Sequence, residues 1–358
     1  MEGSRICNSA NYVCTILPPH ILTKLCESDR HRARALRTIT LTEQARGRRA
    51  ILGAMLGAVP AGTLRRTIFD AQNTENLPGK LVRGEGDAAT DDVAVTEAYD
   101  YSGNTYDFYE RIFGRNSVDD KGQRLDSSVH YGQQYDNAFW DGRQMIYGDG
   151  DGELFNRFTL ALDVIGHELT HGVTQNTAAL EYSGQSGALN ESISDVFGTM
   201  VKQWTLGQNV DQADWLIGKG LFTAQIQGVA LRSMKDPGSA YDDPQIGKDP
   251  QPKNMANYVN TTEDSGGVHI NSGIPSYAFF LAATAIGGYA WEKTGKIWYD
   301  TLTKRLTSTS DFQAAADATT SAAGDLFGQG GAEQKAVIDA WTKAGIKPAG
   351  TRTLGAVR

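Results

Sequence analysis

An α+β architecture, a mixed half followed by an all-helical half, is predicted by three features of the sequence. Short alternating apolar runs fill the first half, long amphipathic periods fill the second, and a pair of histidines stands where the two textures meet. The 358 residues exceed one ordinary core and point to two or three domains. A 40% apolar and 21% charged composition suits a chain that buries a core. No apolar run approaches the ~18 residues of a membrane span, so no membrane partner is expected. A net charge of −8 also makes nucleic acid a poor partner.

Charge and thiols set the first segment apart. Residues 1–66 carry 11 Lys and Arg against 4 Asp and Glu, a net of +7, which leaves −15 for the remainder. Cys7, Cys14 and Cys26 all fall here, an odd set that is no disulfide framework for the body. The apolar stretch 12–25 is interrupted by Pro18-Pro19. Helices are predicted over residues 28–40 and 43–56, and the small-residue string 57–62 reads as a linker open to proteolysis. Glu2, Arg5, Lys24 and Glu27 interrupt any apolar leader, so no classical secretory signal is read.

Beyond Leu64, residues 66–70 and 79–85 read as strands, and 93–113 as a long helix broken near Gly103. Residues 128–131, 137–140 and 143–147 are predicted as antiparallel strands, with Trp140-Asp141-Gly142 as a hairpin signal. Gly148-Asp149-Gly150-Asp151-Gly152 has the look of a calcium loop. The twelfth position from Asp149 is Leu160, where an EF-hand requires Glu, so a tight loop is expected. Helical periods follow at 159–174 and 190–204, then a polar surface loop at 236–257. Four further helices are predicted at 272–287, 293–306, 311–324 and 332–344.

The sharpest chemical signal is His167-Glu168-Leu169-Thr170-His171. Residues four apart on a helix differ by about 40° in direction and ~6 Å in height, so both imidazoles can share one metal. Asn190-Glu191-Ser192-Ile193-Ser194-Asp195 opens the next helix, and Glu191 is the candidate third ligand. A solvated carboxylate at that helix start is the alternative. Asp195, one turn deeper, can accept the second ring N–H of a ligating histidine. Three ligands and an open position mark a catalytic zinc. Glu168, about 100° round the helix from His167, flanks the metal without binding it and suits a general base for water. His269, in Asp264-Ser265-Gly266-Gly267-Val268-His269, is a candidate oxyanion donor aimed by Asp264, or otherwise an ordinary loop histidine.

Together with Asn137-Ala138-Phe139-Trp140, Tyr147-Gly148-Asp149-Gly150-Asp151-Gly152 and residues 266–273, these motifs resemble the thermolysin family of zinc metalloendopeptidases. The likeness runs from about Ile68 to Ala344. Ile16-Leu17-Pro18-Pro19-His20-Ile21-Leu22 resembles the short pro-segments of its protealysin-like subgroup. The resemblance implies a pro-segment at 1–63, an α+β domain at 64–188, a helical domain at 189–346 and a tail at 347–358, with one zinc in the cleft between the domains. It assigns zinc to His167, His171 and Glu191, the base to Glu168, and oxyanion donation to Tyr182 and His269, with Asp264 holding His269. Asn137 and Ala138 would bind substrate backbone as an added strand. Arg232 would contact the carbonyl after the scissile bond. Phe155, Phe158, Val164, Ile217, Leu221 and Leu231 would line an apolar pocket for the residue after the cut.

The implied protein is a monomeric, secreted zymogen inhibited by its own pro-segment, with Pro18-Pro19 extended in the substrate groove. A thiolate of Cys7, Cys14 or Cys26 capping the zinc is the rival account of that inhibition. A catalytically silent fold and a zinc aminopeptidase are the competing functions. The complete ligand, base and donor set argues against the first, and the single acid in Asp163-Val164-Ile165-Gly166 against the second. Many family members bind paired calcium ions through a carboxylate cluster. This chain keeps Asp163 and Asp214 there but has Lys202, Leu216 and Lys219 where the pattern has acids. The double calcium site is therefore expected to be absent, with a lysine paired to Asp163 or Asp214.

Overall fold

The computed structural model describes residues 14–52 and 64–349; the expected linker at 57–62 and Cys7 lie outside them. Among these residues a six-stranded sheet has the order β1-β5-β6-β4-β2-β3. Its strands are β1 (Cys14–Thr15), β2 (Arg66–Asp70), β3 (Lys80–Gly84), β4 (Leu125–Val129), β5 (Ala138–Trp140) and β6 (Gln144–Tyr147). The β5–β6 hairpin is antiparallel as predicted, but β4 begins earlier than expected and runs parallel to both β6 and β2. All five of its residues, Leu125-Asp126-Ser127-Ser128-Val129, are buried, so the alternation that identifies a half-exposed strand is missing.

The N-terminal segment forms the outer edge of this sheet. After β1 come α1 (Pro19–Leu25) and α2 (Arg32–Leu52), one continuous helix in place of the two predicted patches. Pro19 takes the first helical position, where its missing N–H costs nothing. Of the predicted extended proline pair only Pro18 is extended, Pro19 opens α1, and the residues that meet the sheet are 14–16. Ile16, Leu17, Ile21, Leu22 and Leu25 are buried in the same apolar cluster as the core of the body. Leu41 and Ala45 of α2 pack with Tyr131, Tyr135 and Phe139.

Helix α3 (Val93–Phe113) runs unbroken through Gly103, contrary to the predicted break. A Cβ at Gly103 would meet Arg66 Nη1 at 2.3 Å, so glycine here admits a guanidinium rather than ending a helix. Asp92 Oδ1 caps the helix by accepting from the Ala94 and Val95 amides, and Gly114 closes it in the left-handed conformation.

The site is set by two crossing helices, α4 (Leu162–Gln175) and α5 (Gly184–Leu206). A Cβ at Gly198 would lie 2.4 Å from the Asp163 carbonyl, so glycine lets the two backbones approach closely. Beyond them lie the ribbons β7 (Leu216–Ile217) with β8 (Arg232–Ser233) and β9 (Asp242–Asp243) with β10 (Gly247–Lys248). The helical half is completed by α6 (Asp264–Asn271), α7 (Gly273–Ile286), α8 (Thr294–Lys304), α9 (Phe312–Phe327) and α10 (Ala332–Lys343). The start of α6 is kinked, with Ser265, Gly266 and Gly267 all at positive φ.

Candidate metal centre and active-site cleft

His167 and His171 leave α4 on one face and bring their Nε2 atoms to 3.0 Å. Glu191, from α5, places Oε2 3.5 Å from His167 Nε2 and Oε1 3.5 Å from His171 Nε2. Donors held 2.0–2.1 Å from a tetrahedral zinc lie about 3.3 Å apart, so the three groups are spaced as a ligand set. The far ring atoms support this reading. His167 Nδ1 meets Asp195 Oδ1 at 2.8 Å, and His171 Nδ1 meets Asn190 Oδ1 at 2.9 Å. With both Nδ1 atoms donating, two Nε2 lone pairs face one another beside a carboxylate whose buried Oε2 has no hydrogen-bond partner. A cation between them resolves that conflict, and the donor set suits zinc.

The charges around this point are strongly coupled. Burial opposes ionisation of Glu191, yet His269, His167 and His171 hold its carboxyl well below the usual range. Burial opposes charge on His167 as well, but Asp195 and Glu191 raise it to about 9 in the metal-free site, so a bound cation would take the place of the Nε2 proton. Glu168, beside the ligands on α4, is fully buried; it accepts from the Trp140 amide through Oε2 at 3.1 Å, while Oε1 has no partner. Burial, with Glu191 adding, pushes Glu168 up to about 8. A nearby divalent ion opposes that shift and favours the carboxylate a base requires.

The opposite wall carries the remaining candidates. His269 Nδ1 is held by Asp264 Oδ1 at 2.6 Å, which aims Nε2 into the cleft. Tyr182 donates to Glu191 Oε1 and lies 3.3 Å from His269 Nε2. Arg232 makes a two-point pair with Asp195, Nε to Oδ2 and Nη2 to Oδ1 at 2.8 Å each. Phe155, Phe158, Val164, Ile217, Leu221 and Leu231 are all buried in the cluster that also holds Ile16 and Leu17. The β7–β8 ribbon brings Leu231 and Ile217 together, with the Leu231 amide on the Ile217 carbonyl at 3.0 Å. Among the described residues, the ligand, base and oxyanion candidates and Arg232 thus lie together, and the six apolar candidates lie in the adjoining apolar cluster. Sequence reasoning missed three partners: Asn190 and Ser194 both meet His171 Nδ1, at 2.9 Å and 3.1 Å, and Arg232 is tied to Asp195.

The N-terminal segment occupies the cleft as a strand. Cys14 and Thr15 pair with Trp140 and Phe139, and the Ile16 amide donates to the Ala138 carbonyl at 3.1 Å. The Leu17 amide donates to Asn137 Oδ1 at 3.0 Å. His269 Nε2 reaches the Thr15 carbonyl at 2.9 Å, and Arg232 Nη1 donates to the Ile16 carbonyl at 3.1 Å. The Thr15–Ile16 peptide therefore lies between the oxyanion candidate and the arginine expected to follow a scissile bond.

Lys202 Nζ sits 3.0 Å from both Asp163 Oδ2 and Asp214 Oδ1, and Lys219 Nζ lies 3.4 Å from Asp214 Oδ2. A lysine was expected to pair with one of these acids; Lys202 pairs with both and Lys219 with the second.

Comparisons with known proteins agree with this geometry. Residues 41–175 match the family described as thermolysin metallopeptidase, catalytic domain, and residues 178–346 the family described as thermolysin metallopeptidase, alpha-helical domain. An extracellular metalloprotease of Pectobacterium carotovorum subsp. carotovorum is 52% identical over 94% of this chain and 97% of its own length. Protease PrtS of a Photorhabdus species is 53% identical over 81% of this chain and 78% of its own. Among solved structures, the precursor of protealysin, a metalloproteinase from Serratia proteamaculans, superposes with a TM-score of 0.85. It is 52% identical, covering 93% of this chain and 99% of that one. With its paired histidines, buried glutamate and occupied cleft, this chain belongs to the thermolysin family of metallopeptidases.

Proposed function

We propose that this metallopeptidase is a zinc endopeptidase that binds extended peptides as a strand on β5, cuts before a bulky apolar residue, and is held inactive by its own residues 14–17. The observation that carries the proposal is the hydrogen-bond register of that segment. A substrate in the same register gives its amides to the Ala138 carbonyl and Asn137 Oδ1, and Arg232 holds the carbonyl after the cut. These contacts read backbone, so selectivity falls to the apolar residues behind the cleft.

His167, His171 and Glu191 would hold the zinc, which would supply Lewis acidity and lower the pKa of a bound water. Glu168 takes the proton of the attacking water and passes it to the leaving amine. His269 and Tyr182 donate to the carbonyl oxygen as it gains charge, with Asp264 keeping His269 in place. Asp195 fixes the Nδ1–H tautomer of His167, and Asn190 does the same for His171. The enzyme acts as a monomer and, like the relative named as extracellular, outside the cell. Lys202 and Lys219 stand in for the paired calcium ions.

The test is a casein digest by the form beginning near Leu64, with and without 1,10-phenanthroline. Internal cuts with Leu, Ile or Phe at the new N-termini, abolished by the chelator and restored by zinc, are expected. Chelator-resistant cleavage would remove the metal from the mechanism. Acidic residues dominating the new N-termini would remove the apolar pocket.

A further inference from the structure

Residues 14–17 lie in the register of a substrate, with the Thr15–Ile16 peptide placed for cleavage, yet the proposed role of the segment is inhibition. Something beyond blocking the groove must keep that bond from reacting. Cys14 directly precedes it. Its side chain is buried, and it packs against Tyr182 and Val268, one residue before the oxyanion candidate. Cys14 Sγ, a ring nitrogen of His171 and a carboxylate oxygen of Glu191 all lie within 4.8 Å of one another. In a tetrahedral zinc site with Zn–S near 2.3 Å and Zn–N near 2.0 Å, sulfur and nitrogen donors are about 3.6 Å apart, so modest closure makes the sulfur a ligand. Independently of the cysteine, the buried Glu191 Oε2 lacks a hydrogen-bond partner and faces the same point.

Resting on the zinc-peptidase reading above, we propose that Cys14 is a fourth zinc ligand in the full-length chain. It closes the position that catalysis needs open, and so turns a substrate-like strand into an inhibitor. Binding through sulfur requires the thiol to release its proton to solvent and the water at that position to leave. Withdrawal of β1 reverses both, the thiolate taking up a proton as water returns. A site with three protein ligands is catalytic, and one with four is closed. Pairing of β1 with β5 holds the sulfur in place, so cutting the chain elsewhere activates the enzyme only once β1 leaves the sheet.

The full-length Glu168→Ala protein, which cannot process itself, permits a direct test after cobalt(II) replaces zinc. Visible d–d bands report the His167, His171 and Glu191 site, and a near-ultraviolet thiolate-to-cobalt band reports sulfur. The band should be present, lost in Glu168→Ala/Cys14→Ser, and kept when Cys7 or Cys26 is changed to Ser instead. Cobalt bound without a thiolate band, or a band that survives Cys14→Ser, overturns the proposal while leaving the peptidase reading intact. Failure to bind cobalt at all overturns both. Should Cys14→Ser not fold, zinc-edge X-ray absorption of the zinc-loaded Glu168→Ala protein decides. A sulfur neighbour at about 2.3 Å is expected, and nitrogen and oxygen neighbours alone would refute it.

Discussion

Asp195 holds His167 through Nδ1 and Arg232 through two bonds, so one carboxylate aims a proposed zinc ligand and anchors the arginine proposed to meet substrate. Changing it to Asn keeps the shape but removes the charge that raises the basicity of His167. Zinc affinity of Asp195→Asn is expected to fall about 10–100-fold, read by competition with a chromogenic chelator. Glu168→Ala is the contrasting case. It should hold zinc like the parent and lose turnover, because the proposed role of Glu168 is to take a proton from the attacking water, not to bind the metal. Loss of zinc from Glu168→Ala, or unchanged affinity in Asp195→Asn, would reverse the two assignments. The shared face of His167 and His171 was legible because spacing of four on a helix fixes direction independently of tertiary packing. The His171–Asn190 bond was not, because it depends on how closely α5 crosses α4, and Gly198 sets that approach.

Two contacts tie elements together away from the candidate metal centre. His130 bridges Asp149 and Asp92, at 2.8 Å through Nδ1 and Nε2 respectively, and so ties the 148–152 loop to the cap of α3. Asp149 chiefly, with Asp92 assisting and burial opposing, raises His130 from 6.5 to about 9. A raised histidine pKa stabilises the fold fully below pH 6.5, and that contribution is lost as pH climbs through about 9. After allowance for solvent at the two carboxylates it is worth about 1–2 kcal/mol. Thermal unfolding should therefore fall between those pH values in the parent and fall less in His130→Gln. Equal slopes would contradict the bridge.

Lys202 joins α5 to Asp163 of α4 and to the Leu216 carbonyl of β7, at 3.0 Å and 3.2 Å. Lys202→Met leaves Asp163 buried without its cation and should cost about 3 kcal/mol or more. In zinc-buffered medium, calcium at ~1 mM should leave the parent's unfolding temperature unchanged. A large calcium-dependent rise, lost in Asp163→Ala, would restore the calcium site. These pairings were readable as charge swaps. The unbroken α3 and the parallel β4 were not, because a glycine that admits Arg66 and a fully buried strand both hide the local period.

At the scale of the whole molecule, the +7 of residues 1–66 and the −15 of the remainder meet in specific pairs. Arg34 reaches Glu153 at 2.8 Å and Asp151 at 3.4 Å, and Arg30 pairs with Glu153 as well. Buried Ile16, Leu17, Ile21 and Leu22 add apolar area, so the segment is docked by packing as well as charge, and salt alone should not release it. The proposed inhibition by this segment is tested most directly by following casein hydrolysis and chain length together during maturation of the full-length protein. Activity should be absent while the chain is intact and should rise in step with loss of the segment ahead of Leu64. Full-length protein as active as the form beginning near Leu64, with no processing, would contradict the account.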